Sequence, residues 1–134
     1  MVVVVDNSVL IPLFLEDEDP SLAEAIFQLD QVELQAPELL LSEFGNVMLV
    51  CLRKGRLSEA DVREAHEALA ETGLVLAEAP GLPQRQTTHD LAVKHQLSYY
   101  AAAYLELALR KNAKLATLNK RLLAAAEAEG VAYQ

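Results

Sequence analysis

The chain opens on four consecutive valines, Val2 to Val5, and then turns polar at Asp6. A β-branched run without alternation suits a strand buried on both faces, as in a parallel sheet. Asn7 or Ser8 can cap a helix over Val9 to Phe14, and Glu16 to Pro20 reads as an acidic loop. Ser21 is placed to cap a second helix reaching about Leu29, and Val32 to Gln35 reads as a short strand. Pro37 suits the first turn of a long helix, Glu38 to Lys54. Its apolar positions Leu39, Leu40, Phe44, Val47 and Met48 repeat at helical spacing, and Gly55 ends it in a left-handed cap.

The same punctuation continues to the end of the chain. Ser58 and Asp61 form a capping-box pattern for a helix running to Thr72 and stopped by Gly73. Leu74 to Ala77 is a third strand, and Pro80, Gly81 and Pro83 mark a loop. A helix over Gln84 to His95 is expected to turn Leu91, Ala92 and Val93 inward. Ser98 caps another helix, Tyr99 to Lys111, which Asn112 can close in a left-handed conformation. Lys114 to Leu118 reads as a strand, Lys120 to Glu129 as a helix and Val131 to Tyr133 as a last strand. Alternating strands and helices imply a parallel sheet covered on both faces, within one domain spanning 1–134.

Composition narrows the class. A hydrophobic fraction of 52% excludes a disordered chain, and no run approaches the ~18 apolar residues of a membrane span. A single cysteine, Cys51, leaves no intrachain disulfide, and the start lacks a basic leader, so a cytoplasmic location is expected. The net charge of −9 argues against phosphate binding until its distribution is considered. Residues 1–67 hold 14 acids and 4 bases, whereas residues 68–134 hold 6 acids and 7 bases. Arg110, Lys111, Lys114, Lys120 and Arg121 fall in a stretch without an acid and are candidates for nucleic-acid contact. Bases complementing helix ends are the plainer account.

Candidate chemistry lies where strands end, because open parallel sheets bind ligands beyond their carboxyl edges. Asp6 ends the first strand, and a carboxylate directly after four valines needs either a helix to cap or a ligand to hold. Glu43 neighbours the apolar stripe of its helix, where an unpaired charge is costly. Asn119, after Thr117 and Leu118, follows a strand and precedes a helix as Asp6 does, so both can aim polar atoms at one point. Asp6 and Glu43 are the candidate metal ligands, because magnesium takes carboxylate oxygens and keeps several waters. His66, His89 and His95 lack the spacing of a ligand set.

Four segments together resemble the PIN domain and, within it, the VapC-type toxins of toxin–antitoxin pairs. They are Val4-Val5-Asp6-Asn7-Ser8-Val9-Leu10, Pro37 to Asn46, Leu97 to Ala108, and Leu115-Ala116-Thr117-Leu118-Asn119-Lys120-Arg121-Leu122. The resemblance covers nearly the whole chain. It implies a three-layer α/β/α fold around a parallel sheet of four or five strands. It also implies an endoribonuclease that holds Mg²⁺ or Mn²⁺ with about four acids. Asp6 and Glu43 match the first two acidic positions. The third falls at Ala101 and the fourth at Asn119, so two carboxylates are replaced. Ser8 and Thr117 match polar positions lining the family's site. The implied catalytic set is Asp6, Glu43 and Asn119, with weakened metal affinity and impaired cleavage. The alternative is a non-catalytic module that binds RNA or an antitoxin. A small antitoxin reaching the acidic cleft with an arginine, an RNA ligand and a second copy of the chain are the implied partners. No membrane partner is implied.

Other doubly wound classes fit less well. A phosphate-accepting receiver needs an acid at the end of the third strand, which reads Leu76-Ala77-Glu78-Ala79-Pro80. A phosphatase using Asp-x-Asp fails at Asp6-Asn7-Ser8.

Overall fold

The computed structural model describes residues 1–134. Strand β1 is Val2–Val5, followed by α1 (Asn7–Leu10) and a 3₁₀ turn over Ile11–Phe14. Next come α2 (Ser21–Phe27), β2 (Glu33–Ala36), α3 (Leu39–Arg53), α4 (Glu59–Glu71) and β3 (Val75–Leu76). The chain continues through α5 (Leu82–His95), α6 (Tyr99–Arg110), β4 (Lys114–Ala116) and α7 (Lys120–Ala128).

The four strands pair in parallel in the order β3-β2-β1-β4. The expected last strand shrinks to one bridge, Leu115 to Ala132, held by Leu115 N to Val131 O at 2.7 Å and Tyr133 N to Leu115 O at 2.9 Å. Leu115 there has one neighbour in β1 and another in the final segment.

Connectivity sets the layers. β1 to β2 to β3 steps one way across the sheet, so right-handed crossovers put α1 to α4 on one face. From β3 the chain crosses back to β4, so α5 and α6 lie on the other face, with α7. The packing agrees: α6 lies on β1 and β4 and touches α5 and α7, whereas α3 touches α1 and α4. The architecture is therefore three-layer α/β/α. Val3, Val4 and Val5 are entirely enclosed between the layers, as the unbroken valine run requires.

Several local expectations need correction. Pro12 lacks an N–H, and the Val9–Phe14 helix tightens to a 3₁₀ turn from Ile11. Its cap is Asp6, neither Asn7 nor Ser8: the Asp6 side chain accepts from Ser8 N. Ser21 is the first residue of α2 and does not cap it; its own N–H goes to Asp19 Oδ1 at 3.0 Å. Val93 points to solvent, and Leu91 alone of its trio is buried. The capping box of Ser58 and Asp61 forms in full, Ser98 caps α6, and Gly55, Gly73 and Asn112 take positive φ at their helix ends.

Candidate active site

The strand order reverses beside β1, since β2 lies on one side of it and β4 on the other. The carboxyl ends of β1 and β4 therefore open a crevice at the switch point of the sheet. Asp6 leaves β1 there with extended backbone, and its carboxylate is nearly buried, at 7% exposure. Oδ1 accepts from Ser8 N at 3.1 Å and from the Ser8 hydroxyl. Oδ2 accepts from Thr117 Oγ1 at 2.6 Å, across the switch point from β4. Ser8 Oγ also accepts from Leu118 N at 2.8 Å, and Thr117 Oγ1 from Asn119 N at 3.0 Å. The two hydroxyl oxygens lie 3.3 Å apart. Each gives its hydrogen to Asp6, so this contact is proximity only. Burial pushes the Asp6 carboxyl above its ordinary range, opposed by the hydrogen bonds from Ser8, Thr117 and the Val9 backbone.

Glu43 comes from α3, half-buried beside the stripe of Leu40, Phe44 and Met48. Its Oε1 accepts from Tyr104 of α6 at 2.6 Å. Tyr104 is buried, and burial together with the negative charges of Glu43 and Asp6 lifts its hydroxyl far above the ordinary phenol range. The phenol therefore stays a donor. Sequence reasoning gave Tyr104 no role. The available signal was its spacing: positions 101 and 104 share one face of α6.

Asp6, Glu43, Ala101 and Asn119 line one cleft of about 270 Å³, together with Asn7, Ser8, Ser98, Tyr100, Tyr104 and Leu122. All four positions marked in the sequence thus meet around one cavity. Asn119 Oδ1 accepts from Arg121 N and Leu122 N, both at 3.1 Å, capping α7. That leaves its amide N–H₂ as the free group, a donor in place of the oxygen expected at this position. Ala101 contributes only a methyl group.

The basic candidates do not form one surface. Arg110 binds Glu106 through Nε at 2.8 Å and Nη2 at 3.2 Å, and Glu106 is buried at 5% exposure. Lys111 and Lys114 lie at the amino end of β4, and Lys114 Nζ reaches Gly130 O at 3.3 Å. Lys120 and Arg121 stand exposed at the carboxyl end of β4, directly after Asn119. Of the histidines, His95 Nε2 lies 2.7 Å from Glu129 Oε2, an anchor between α5 and α7.

The donor set decides what ion the cleft suits. Asp6 Oδ1 has both acceptor positions filled, Oδ2 keeps one, and Glu43 Oε2 carries no bond. Asn7 adds a buried oxygen without a donor, while its nitrogen is fixed by Leu40 O at 3.1 Å. Asp6 and Glu43 are the two acids lining the cleft, and a pair of carboxylates with the remaining positions left to water is a donor set of the kind magnesium accepts. No group of three acids, histidines or cysteines converges there.

A parallel α/β sheet with an acid pair at its switch point defines the class, and the comparison with known proteins agrees. Residues 3–128 match the family model described as the PIN domain, and the chain belongs to that family. Within it, the chain is 31% identical over 122 residues to Ribonuclease VapC3 of Pyrobaculum aerophilum, covering 91% of this chain and 92% of that one. Two solved structures share the fold. PAE2754 from Pyrobaculum aerophilum has a TM-score of 0.69 at 24% identity, over 92% of this chain and 78% of its own. VapBC-1 from nontypeable Haemophilus influenzae has a TM-score of 0.61 at 16% identity, over 100% and 97%. No helix is long and apolar enough to cross a membrane.

Proposed function

We propose that this chain is a VapC-type, metal-dependent endoribonuclease attenuated by the replacement of two site carboxylates. The observation carrying the reading is the shared cleft, in which Asp6 and Glu43 face positions held by Ala101 and Asn119. Magnesium or manganese there would be held by Asp6 Oδ2 and Glu43 Oε2. When bound, such an ion activates a water nucleophile and offsets charge at a phosphodiester. The protein's own contribution is positioning. Ser8 and Thr117 fix the plane of Asp6, Tyr104 fixes Glu43, and the Asn119 amide can donate to a water or a phosphate oxygen. Two negative charges would hold the ion where the intact pattern offers four.

Restoring the missing acids is the test. Manganese binding, read by electron spin resonance, and cleavage of single-stranded RNA are compared for the chain, Ala101→Asp, Asn119→Asp and the double variant. Each restored acid is expected to tighten the ion ~10–100-fold, with cleavage rising in step. If neither quantity rises in the double variant, Asp6 and Glu43 are not metal ligands and the nuclease reading fails.

The thinness of the donor set also favours a second reading, a non-catalytic module that keeps RNA or antitoxin binding. RNA binding without cleavage at saturating manganese would select it. The VapBC-1 relative supports a small antitoxin partner, whose arginine would pair with Asp6 and Glu43. A homodimer and a cytoplasmic location belong to the same proposal.

A further inference from the structure

Four tyrosines occur in the chain, and two of them share a face of α6 one turn apart. Tyr104 lies in the cleft floor at 3% exposure with its hydroxyl spent on Glu43. Tyr100 lines the same cleft at 63% exposure, and its hydroxyl bonds to nothing in the protein. Residues four apart on a helix stand about 5–6 Å apart at Cβ. Tyr100 therefore sits at the open side of the cleft, one helical turn from Tyr104. Its backbone is firm, because Ser98 Oγ accepts from Ala101 N at 3.0 Å in the same turn. Ala101 beside it has too little side chain to cover the ring.

A large aromatic side chain left open on the lip of a polar cleft loses apolar burial, and no neighbour recovers it. A flat partner with a π-face would. Lys120 and Arg121 directly follow Asn119 at the start of α7 and are exposed cations in a chain of net charge −9. Phosphates attracted there would bring their bases toward the α6 rim. Resting on the nuclease reading above, we propose that Tyr100 is the substrate-positioning residue. It stacks an unpaired base of the RNA next to the phosphate held over Asp6 and Glu43. Such stacking tolerates any base, so Tyr100 selects for single-strandedness and not for sequence.

The test uses a fluorescein-labelled oligouridylate with manganese at fixed low salt, with binding read by anisotropy. Tyr100→Ala is expected to weaken binding ~5- to 150-fold, the equivalent of ~1–3 kcal/mol for one stacked base. Tyr100→Phe keeps the ring and should bind as the unchanged chain does. Tyr99→Ala removes a neighbouring exposed ring that lines a different cavity and should also leave binding intact. A second series removes one nucleobase at a time from the RNA. One abasic position should cost the unchanged chain as much as Tyr100→Ala does, and cost the Ala variant nothing further. If the unchanged chain binds and Tyr100→Ala binds equally, stacking is wrong and the nuclease reading stands. Equal losses in Tyr99→Ala and Tyr100→Ala also overturn the assignment. If the unchanged chain binds no RNA, both fall together.

Discussion

Tyr104 donates its hydroxyl hydrogen to Glu43 Oε1 at 2.6 Å and so ties α6 to α3 through the wall of the cleft. The donor is buried and the acceptor carries charge, which places this bond among the stronger kind. Glu43 is half-open to solvent, so the contribution sits low in that range. A double-mutant cycle of Tyr104→Phe and Glu43→Ala is expected to give a coupling of ~1 kcal/mol in urea unfolding. Additive effects of the two changes would show that the bond contributes nothing.

Asp6 should weaken the fold at neutral pH. Burial raises its carboxyl above the ordinary value of 3.8, so the folded state favours the protonated form. The associated stability is complete below that ordinary value and is lost as pH rises through the folded one. Asp6→Asn keeps the shape and removes the charge. It should therefore unfold at higher urea than the unchanged chain at pH 7, with the gain fading as pH falls toward 3.8. Manganese should then stabilise the unchanged chain and leave the Asn variant unmoved, because only a state that binds the ion gains from it.

Asn119 carries a structural duty alongside its place in the cleft. Its Oδ1 satisfies two backbone N–H groups at the start of α7. Asn119→Ala is expected to cost ~1 kcal/mol of stability. Asn119→Asp keeps the capping oxygen and places a negative charge at a helix N-terminus, so it should unfold within ~0.5 kcal/mol of the unchanged chain. A large loss in the Asp variant would mean that the cleft cannot accept the charge without metal.

Glu106 and Arg110 make the ion pair with the deepest-set acid in the chain. Removing the guanidinium strands a carboxylate at 5% exposure. Arg110→Ala is thus expected to cost ~3 kcal/mol, toward the lower end for a broken buried pair because Arg110 itself is partly open. The paired change Arg110→Leu with Glu106→Leu should recover much of that loss. Failure to recover would place the cost in Arg110's packing and not in the stranded charge.

The framework was legible where local rules and tertiary packing agree. Four consecutive valines suit a buried strand, and Ser58, Ser98, Gly55 and Gly73 punctuate helices by rules that need no knowledge of the rest of the chain. Strand ends pointed Asp6 and Asn119 at one place, whereas Ala101 and its meeting with Glu43 there were what the family resemblance implied. What escaped were facts about side-chain direction. Nothing in the spacing of Arg110 says that Glu106, one turn back, is buried and claims it. The name of Asn119 offers an oxygen, but the helix takes that oxygen and leaves the nitrogen. Val93 lies two positions after the buried Leu91, and a rotation of about 100° per residue carries it to solvent.

The split of the basic residues gives the sharpest electrostatic prediction. β4 is only three residues long, yet it places Lys111 and Lys114 at one end and Lys120 and Arg121 at the other. Only the second pair adjoins the cleft through Asn119. For single strands, each neutralised phosphate contributes about −0.7 to the slope of log K against log salt. Lys120→Ala with Arg121→Ala should therefore flatten the slope for single-stranded RNA by ~1.4 and leave urea stability nearly unchanged. Lys111→Ala with Lys114→Ala removes the same formal charge from the far edge of the sheet. Screening over a Debye length of ~10 Å should hide that change from a ligand at the cleft. Equal flattening by both pairs would mean that RNA runs the length of β4, an orientation in which the cleft does not direct binding.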